Sequence, residues 1–243
     1  KLINELMLIN YAPRHFEKSI IIRPHNVYGP DMGWEHVIPQ FALRMQGLLK
    51  KETGPLPFPI QGSGQESRSF VFIDDFIDGM DFLLREGKID SERVFVRGVS
   101  AGAIVVAAAV NRRPDLFAGV VLRAPYLDLI GSLADATERL TPSDRLEWGN
   151  PANTQDFAYL ASYSPYEQIR SQAYPPVLLT AARQDTRVSM TESLKWFARL
   201  RAHDTGNGVK LLHLVDEGGH FGPSDQYKVR QQDSLEYAFI LTR

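Results

Sequence analysis

The feature that most constrains the fold is a five-residue motif, G-x-S-x-G, at residues 98–102. An apolar, β-branched stretch precedes it at residues 93–97, and an Ala-rich apolar stretch follows it. This context predicts a strand, a sharp turn that carries Ser100, and a helix. Small residues suit such a turn, because side chains at Gly98 and Gly102 would collide with the backbone. The N–H of Ala101, at the start of the helix, is then available to a developing oxyanion.

Strands and helices alternate on both sides of this motif. We predict strands at residues 94–96, 120–122, 177–180 and 210–215, and helices at residues 101–111, 191–203 and 224–241. Residues 127–175 read as a helical excursion over the carboxyl edge of the sheet. Ser189 and Glu192 have the spacing of a helix capping box. The pattern predicts an α/β fold with a mostly parallel sheet flanked by helices.

The first third of the chain has a different pattern of predicted helices and strands. Residues 1–11 predict an amphipathic helix, residues 19–23 a strand that is followed by a turn at residues 27–30, and residues 37–49 a second helix. Strands are predicted at residues 58–61 and 69–73, separated by a turn at residues 62–64. A third helix, capped by Asp74 or Asp75, runs through Leu84 and ends near Gly87.

Composition excludes several classes of protein. The chain has 243 residues, no cysteine and a formal net charge of −2, so no disulfide framework, thiolate metal site or basic surface for nucleic acid is expected. The most apolar window is about half the length that a membrane span needs, and the N-terminus lacks the apolar core of a secretory signal. We predict a cytoplasmic protein without a metal or cofactor. The absence of an initiator Met suggests a fragment or a processed product.

A serine in such a turn needs a base and an orienting carboxylate to act as a nucleophile. Asp185 follows the strand predicted at residues 177–180, and His220 follows the strand at residues 210–215. Because the carboxyl ends of parallel strands meet at one edge of a sheet, we expect both side chains near Ser100. The chain order Ser, Asp, His is that of α/β-hydrolases. Ser100 would attack a carbonyl, His220 would move the proton, and Asp185 would orient the imidazole.

Residues from about 86 to 243 resemble the C-terminal part of the catalytic domain of the prolyl oligopeptidase family, especially its oligopeptidase B branch. The motifs that carry the resemblance are RGVSAG at 97–102, RPDLFAGVV at 113–121, EWGNP at 147–151, YSPY at 163–166 and KWFARL at 195–200. The resemblance implies that Ser100, Asp185 and His220 form the triad. It also implies that Arg187 helps to hold the peptide backbone, and that the substrate is a short peptide or an ester.

The resemblance is incomplete at the front of the domain. Catalytic domains of that family have several strands before the turn that carries the serine. A loop among those strands supplies a tyrosine hydroxyl as the second oxyanion donor. Nothing before residue 86 resembles those strands or the family's propeller domain. Loss of one oxyanion donor costs about 10²–10³ in rate, so we expect weak esterase activity rather than efficient peptidase activity.

Residues 1–84 resemble the later part of a nucleotide-sugar epimerase or dehydratase of the extended short-chain dehydrogenase family. The motifs are RPHNVYGP at 23–30, VIPQF at 37–41, QGSG at 61–64 and RSFVFIDD at 68–75. The resemblance implies that Asn26 and Arg68 contact a nucleotide-sugar. The glycine-rich dinucleotide fingerprint has no counterpart here, so redox chemistry is not expected.

The sequence therefore reads as an epimerase-like fragment at residues 1–85 and an α/β-hydrolase fragment at residues 86–243, either separate or merged into one domain. The leading hypothesis is a serine hydrolase. One alternative is a nucleotide-sugar binding module that uses Asn26 and Arg68, and another is an inert chimeric or designed fold. The oligomeric state stays open, and neither nucleic acid nor a membrane is an expected partner.

Overall fold

The computed structural model describes residues 2–15, 19–23, 25–30, 32, 36–50, 54–87, 90 and 93–243. The chain divides into two compact units, Lys1–Glu86 and Gly87–Arg243. Whether the two fragments act as separate or merged domains stays a prediction.

The described part of the first unit forms a short parallel strand pair and three helices. Its elements are α1 (Leu2–His15), β1 (Asn26–Tyr28), α2 (Val37–Leu49), β2 (Phe70–Phe72) and α3 (Ile73–Arg85). Val27 of β1 lies opposite Val71 of β2, and the ring of Tyr28 packs edge-on against Phe72 at 5.4 Å between centroids. The helix predicted at residues 37–49 is confirmed with the same bounds.

Two strand predictions in this unit are wrong. Residues 19–23 and 58–61 are described and form no strand, whereas residues 26–28, which overlap our predicted turn, form β1. β-Propensity reflects fit to neighbouring strands more than an intrinsic backbone preference, and it is residues 26–28 that pair with β2. The turn at residues 62–64 is confirmed, with φ of 91° at Gly62 and 78° at Gly64.

The capping role predicted for Asp74 or Asp75 is also wrong. Helix α3 begins at Ile73, and its N-cap residue is Phe72, which makes no side-chain capping bond. Both aspartates lie instead in the first turn of the helix. There their negative charges interact favourably with the positive end of the helix dipole.

The second unit is a four-stranded parallel sheet with helices between the strands. Its strands are β3 (Phe95–Val99), β4 (Gly119–Arg123), β5 (Val177–Ala182) and β6 (Lys210–Val215), hydrogen-bonded in the order β3-β4-β5-β6. Its α-helices are α4 (Gly102–Arg112), α5 (Leu129–Ala134), α6 (Thr141–Trp148), α7 (Thr154–Tyr163), α8 (Met190–His203) and α9 (Gln226–Leu241). The predicted α/β class with a parallel sheet flanked by helices is confirmed.

The central strands β4 and β5 form the core of this unit. Nearly all their residues are buried, as expected for parallel strands covered on both faces. Leu122 and Leu179 belong to a cluster that also contains Trp196 of α8 and Ala103 of α4. Ala103 and Ala107 of α4 are both buried in this cluster, so small side chains let the helix pack closely against the sheet.

Helices α5, α6 and α7 make up the predicted excursion between β4 and β5. Leu129, Leu133 and Leu160 of these helices form a second buried cluster with Tyr126 and Val188. Tyr126 follows β4 and Val188 follows β5, so the cluster lies at the carboxyl ends of these strands. The predicted position of the excursion at this edge of the sheet is confirmed.

Candidate active site

Ser100 lies at the turn between β3 and α4, in a backbone conformation that L-residues rarely adopt. Its φ is 54°, in the left-handed region that is unfavourable for a residue with a Cβ atom. Its N–H donates to the carbonyl of Arg123 at 3.1 Å, and its own carbonyl accepts from Ala103 and Tyr126 at 3.0 and 3.1 Å. The surrounding backbone therefore fixes the strained conformation.

The two glycines of the motif have different roles. A Cβ atom built on Gly98 would lie 2.7 Å from the Cα atom of Ala103, whereas one built on Gly102 would meet nothing within 4 Å. The collision expected from the sequence is therefore correct for Gly98 and wrong for Gly102. Only the residue two places before Ser100 faces the backbone of the following helix.

The structure brings Ser100, His220 and Asp185 together. His220 Nε2 is 2.8 Å from the Oγ atom of Ser100, and His220 Nδ1 is 2.8 Å from Oδ2 of Asp185. The side chains of His220 and Asp185 are only 6% and 2% exposed. This geometry allows Ser100 to donate to the imidazole while the opposite ring nitrogen donates to the carboxylate.

Asp185 is itself held by the loop that carries it. Its Oδ1 atom accepts from the backbone N–H of Arg187 at 2.8 Å and of Val188 at 3.0 Å. These bonds leave the second oxygen for His220. The carboxylate is therefore fixed in the orientation that the imidazole requires.

A cavity of about 370 Å³ opens beside the Ser100 hydroxyl. It is lined by Ser100 and His220 together with Arg97, Val99, Arg123, Arg187 and Phe221. The guanidinium of Arg187 lies over the ring of Phe221, with its Cζ atom 5.4 Å from the ring centroid. Arg187, singled out from the resemblance, therefore lies in the same cavity as Ser100.

Two of the cavity arginines are already neutralised. Arg123 donates to Asp233 and Glu236 of α9, each at 2.6 Å, and Arg97 donates to Glu236 at 2.7 Å. No carboxylate makes a salt bridge with Arg187 among the residues that the structure describes. Burial raises the pKa of the Asp144 carboxyl and the charge of Arg187 opposes this rise, so Arg187 lies near a carboxylate without pairing with it, and its guanidinium is available to a substrate.

Ala101 lies directly before α4 and serves as its N-cap residue. The first N–H groups of a helix have no partner within the helix. The N–H of Ala101 is therefore placed next to Ser100 at the positive end of the α4 dipole.

Asn26 and Arg68 are exposed in the first unit. The side-chain amide of Asn26 donates to the carbonyl of Ser69 at 3.1 Å, and Arg68 Nη1 donates to the carbonyl of Ser67 at 2.8 Å. Both side chains thus contact the same short segment that leads into β2. Their role toward a nucleotide-sugar stays a prediction.

Sequence reasoning missed Phe221 and Glu192. Phe221 follows His220 directly, and its position in the chain was the only available signal. Glu192 is 4% exposed, and burial raises its pKa to about 7, an effect that bonds from the amides of Asp128 and Leu127 oppose. Its spacing from Ser189 predicts a local capping bond, and the sequence gives no sign of its contact with the distant loop.

Among the residues that the structure describes, no three His, Asp or Glu side chains group closely enough to hold a metal ion. None of the helices described combines the length and apolar character that a membrane crossing requires.

The parallel sheet, the strand–turn–helix at Ser100 and the order of the three side chains along the chain define an α/β-hydrolase. Sequence comparison then gives the family. The chain belongs to the prolyl oligopeptidase family, whose model matches residues 63–243. Residues 1–98 match the NAD dependent epimerase/dehydratase family. Both resemblances drawn from the sequence motifs are therefore confirmed.

Individual relatives agree with this assignment. The chain is 34% identical over 169 residues to Protease 2 of Moraxella lacunata, covering 70% of this chain and 24% of that protein. It is 33% identical over 167 residues to Dipeptidyl aminopeptidase BI of Pseudoxanthomonas mexicana, covering 69% and 23%. Oligopeptidase B from Trypanosoma brucei, solved with covalently bound antipain, is 36% identical with a TM-score of 0.66, covering 69% and 24%. The chain thus spans about a quarter of the length of these relatives.

Proposed function

We propose that this chain hydrolyses ester bonds and the peptide bonds of short peptides through an acyl-enzyme on Ser100. The observation that carries the proposal is the position of His220, which lies 2.8 Å from both Ser100 Oγ and Asp185 Oδ2. A hydroxyl, an imidazole and a carboxylate in this order are the parts of a serine nucleophile with its base and orienting group. The covalent antipain complex of the trypanosomal relative supports covalent chemistry in this family.

The reaction follows from these contacts. The Oγ atom of Ser100 attacks the substrate carbonyl as His220 Nε2 takes its proton, and Asp185 stabilises the resulting imidazolium. The N–H of Ala101 donates to the oxyanion of the tetrahedral intermediate. His220 then returns the proton to the leaving alcohol or amine, which leaves the acyl group on Ser100. Water attacks this ester by the same proton transfers and restores the free serine.

Arg187 is the residue we propose for substrate binding. It lines the cavity beside Ser100, and a guanidinium offers several N–H donors in a fixed plane. A peptide carbonyl beside the scissile bond is an acceptor that these donors suit. This contact favours peptides over simple esters in binding, although both reach the same nucleophile.

Labelling by a fluorophosphonate probe tests the proposal directly. We expect the folded protein to gain one adduct on Ser100, identified by peptide mass spectrometry, and Ser100→Ala to gain none. Ser143→Ala, which removes an exposed serine hydroxyl on α6, is the matched control and should label as the parent does. A folded parent protein that stays unlabelled would disprove the proposed function.

A cytoplasmic location is also proposed, because a chain without cysteine suits a reducing compartment. The nucleotide-sugar alternative for Asn26 and Arg68 has a separate test. A rise in melting temperature with UDP-sugar that is lost in Arg68→Ala would support it, and an unchanged melting temperature would oppose it.

A further inference from the structure

Glu192 places a carboxylate deep inside the second unit, where it binds a loop far away in sequence. The side chain is 4% exposed. Its Oε1 atom accepts from the backbone N–H of Leu127 and, at 2.6 Å, from that of Asp128, and its Oε2 atom accepts from the Ser132 hydroxyl at 2.9 Å. A buried carboxylate is costly unless it is hydrogen-bonded, and here both oxygens have donors.

Glu192 does not make the local bond that its sequence position suggests. In a capping box the Glu side chain accepts from the backbone N–H of the N-cap residue, which here is Ser189. Ser189 does cap the helix, through a bond from the N–H of Thr191 to its hydroxyl at 3.3 Å. The Glu192 carboxylate is instead committed to the loop between β4 and α5.

That loop is bonded in turn to the backbone of Ser100. The N–H of Tyr126, directly before Leu127, donates to the carbonyl of Ser100 at 3.1 Å. Three consecutive amides thus divide between two acceptors, the first going to Ser100 and the next two to Glu192. The loop starts at Ala124, whose φ of 42° is the second positive value among the described residues other than glycine. The N–H of Ala124 donates to the carbonyl of Thr180 at 2.8 Å, so β5 fixes the start of the loop while Glu192 binds the amides that follow Tyr126.

We propose that Glu192 is a positioning residue that fixes the Ser100 turn through the backbone of Tyr126 and Leu127. The proposal rests on the proposed role of Ser100 as nucleophile. Glu192 reaches neither the substrate cavity nor the reacting atoms. Glu192 fixes the loop by binding the amides of Leu127 and Asp128. The N–H of Tyr126 in that loop fixes the carbonyl of Ser100, which keeps the serine hydroxyl aligned with His220.

Two substitutions separate the hydrogen bonds of Glu192 from its charge. Glu192→Gln keeps the side-chain oxygen that the amides of Leu127 and Asp128 need, and its amide nitrogen can donate to Ser132. Glu192→Ala removes the acceptor and leaves these N–H groups without a partner. Glu192→Met removes the acceptor but retains volume, and it replaces the alanine variant if that variant does not fold.

Leu200→Ala is the matched control for general loss of stability. Leu200 is fully buried on the same helix and belongs to the same apolar cluster as Leu127, and its truncation leaves a cavity there while the acceptor oxygens of Glu192 stay in place. All variants are compared at a temperature at which circular dichroism shows each of them to be folded.

The rate of fluorophosphonate labelling at Ser100 is the first measurement. We expect Glu192→Ala or Glu192→Met to slow labelling by about 100-fold, since misplacement of a reacting group by about 1 Å has an effect of this size. Glu192→Gln and Leu200→Ala should stay within about 3-fold of the parent, because the hydrogen bonds to the loop persist. An equal loss in Leu200→Ala, or no rescue by glutamine, would overturn the proposal.

Amide hydrogen exchange is the second measurement, and it does not depend on activity. We expect exchange at Tyr126 to rise by about 10-fold or more in Glu192→Met, and to stay near the parent value in Glu192→Gln and Leu200→Ala. Unchanged exchange at Tyr126 in Glu192→Met would contradict the proposal. If the parent protein is not labelled, the proposed function fails, and the exchange measurement still decides whether Glu192 holds the turn.

Discussion

The Cα atom of Ala103 lies only 2.7 Å from the position that a Cβ atom on Gly98 would occupy. The contact is between backbone atoms and the new methyl group, so no side-chain rotation can relieve it. Close packing of the helix start against the end of β3 is what directs Ser100 out of the sheet. The turn therefore depends on glycine two residues before the serine.

Gly98→Ala is expected to destabilise the fold and to abolish labelling of Ser100. The added methyl group must displace the start of α4, which costs about 3 kcal/mol. Thermal unfolding and fluorophosphonate labelling measure the two effects.

Gly102→Ala is the matched control, since a Cβ atom there meets nothing within 4 Å. Alanine in a helix is favoured over glycine by about 0.5–1 kcal/mol, so this variant should be as stable as the parent or more stable. Equal tolerance of alanine at both positions would show that the turn is not built around Gly98.

Asp185→Asn is expected to lower kcat by about 10⁴, because asparagine favours the wrong tautomer of the histidine it contacts. The Nδ1 atom of His220 would then have to accept rather than donate, which leaves Nε2 protonated and unable to take the proton of Ser100. Steady-state hydrolysis of a 4-nitrophenyl ester measures the loss.

Asp216→Asn provides the comparison for this substitution. Asp216 pairs with Arg183 on the surface, with a side chain that is 76% exposed, and its change should leave kcat unaltered. A similar loss in both variants would mean that the charge of this region, rather than the contact with His220, is responsible.

The sequence predicts a helix or strand well where the pattern of that segment alone determines its structure. It fails where the structure depends on pairing with a distant segment. Strand β6 is predicted with its observed bounds, Lys210–Val215, and α8 within one residue, Met190–His203. In the first unit, residues 19–23 have strong β-propensity and form no strand, because pairing with another strand decides the outcome and leaves no local signal.

The residues in and around the candidate site also differ in whether the sequence predicts them. Ser100, Asp185 and His220 are predictable because each follows a strand of a parallel sheet, and the carboxyl ends of such strands meet at one edge. Glu192 is not, since its spacing from Ser189 indicates a local cap while its actual partners lie more than sixty residues earlier. Contacts between a side chain and a distant backbone amide leave no pattern in a single sequence.

Glu192 also predicts how stability depends on pH. Its pKa is about 7 in the folded protein against an ordinary value of 4.5, and burial is the main cause. The folded state therefore binds more protons than the unfolded state between these values, so this group's contribution to stability falls as pH rises from about 4.5 to about 7. The fall is on the order of 3 kcal/mol, from 1.36 kcal/mol per pKa unit.

Glu192→Gln removes this titration, because glutamine has no proton to release. The free energy of unfolding of the variant, measured by urea denaturation between pH 4.5 and 7.5, should fall less steeply with pH than that of the parent. Parallel curves for the two proteins would show that Glu192 does not titrate in this window.

Phe221 is expected to support substrate binding through Arg187. The residue is 84% exposed beside the cavity, and the Arg187 guanidinium lies 5.4 Å from its ring centroid. A cation–π contact at an exposed site contributes about 0.5–1 kcal/mol, so Phe221→Ala should raise KM for a short peptide ester by about 2- to 5-fold with kcat unchanged.

Phe221→Tyr keeps the ring and should restore KM. Tyr237→Ala, which removes an exposed ring on α9, should leave both constants unaltered. A lower kcat at unchanged KM in Phe221→Ala would instead assign the ring to the orientation of His220, with which it makes an edge-on contact at 5.2 Å.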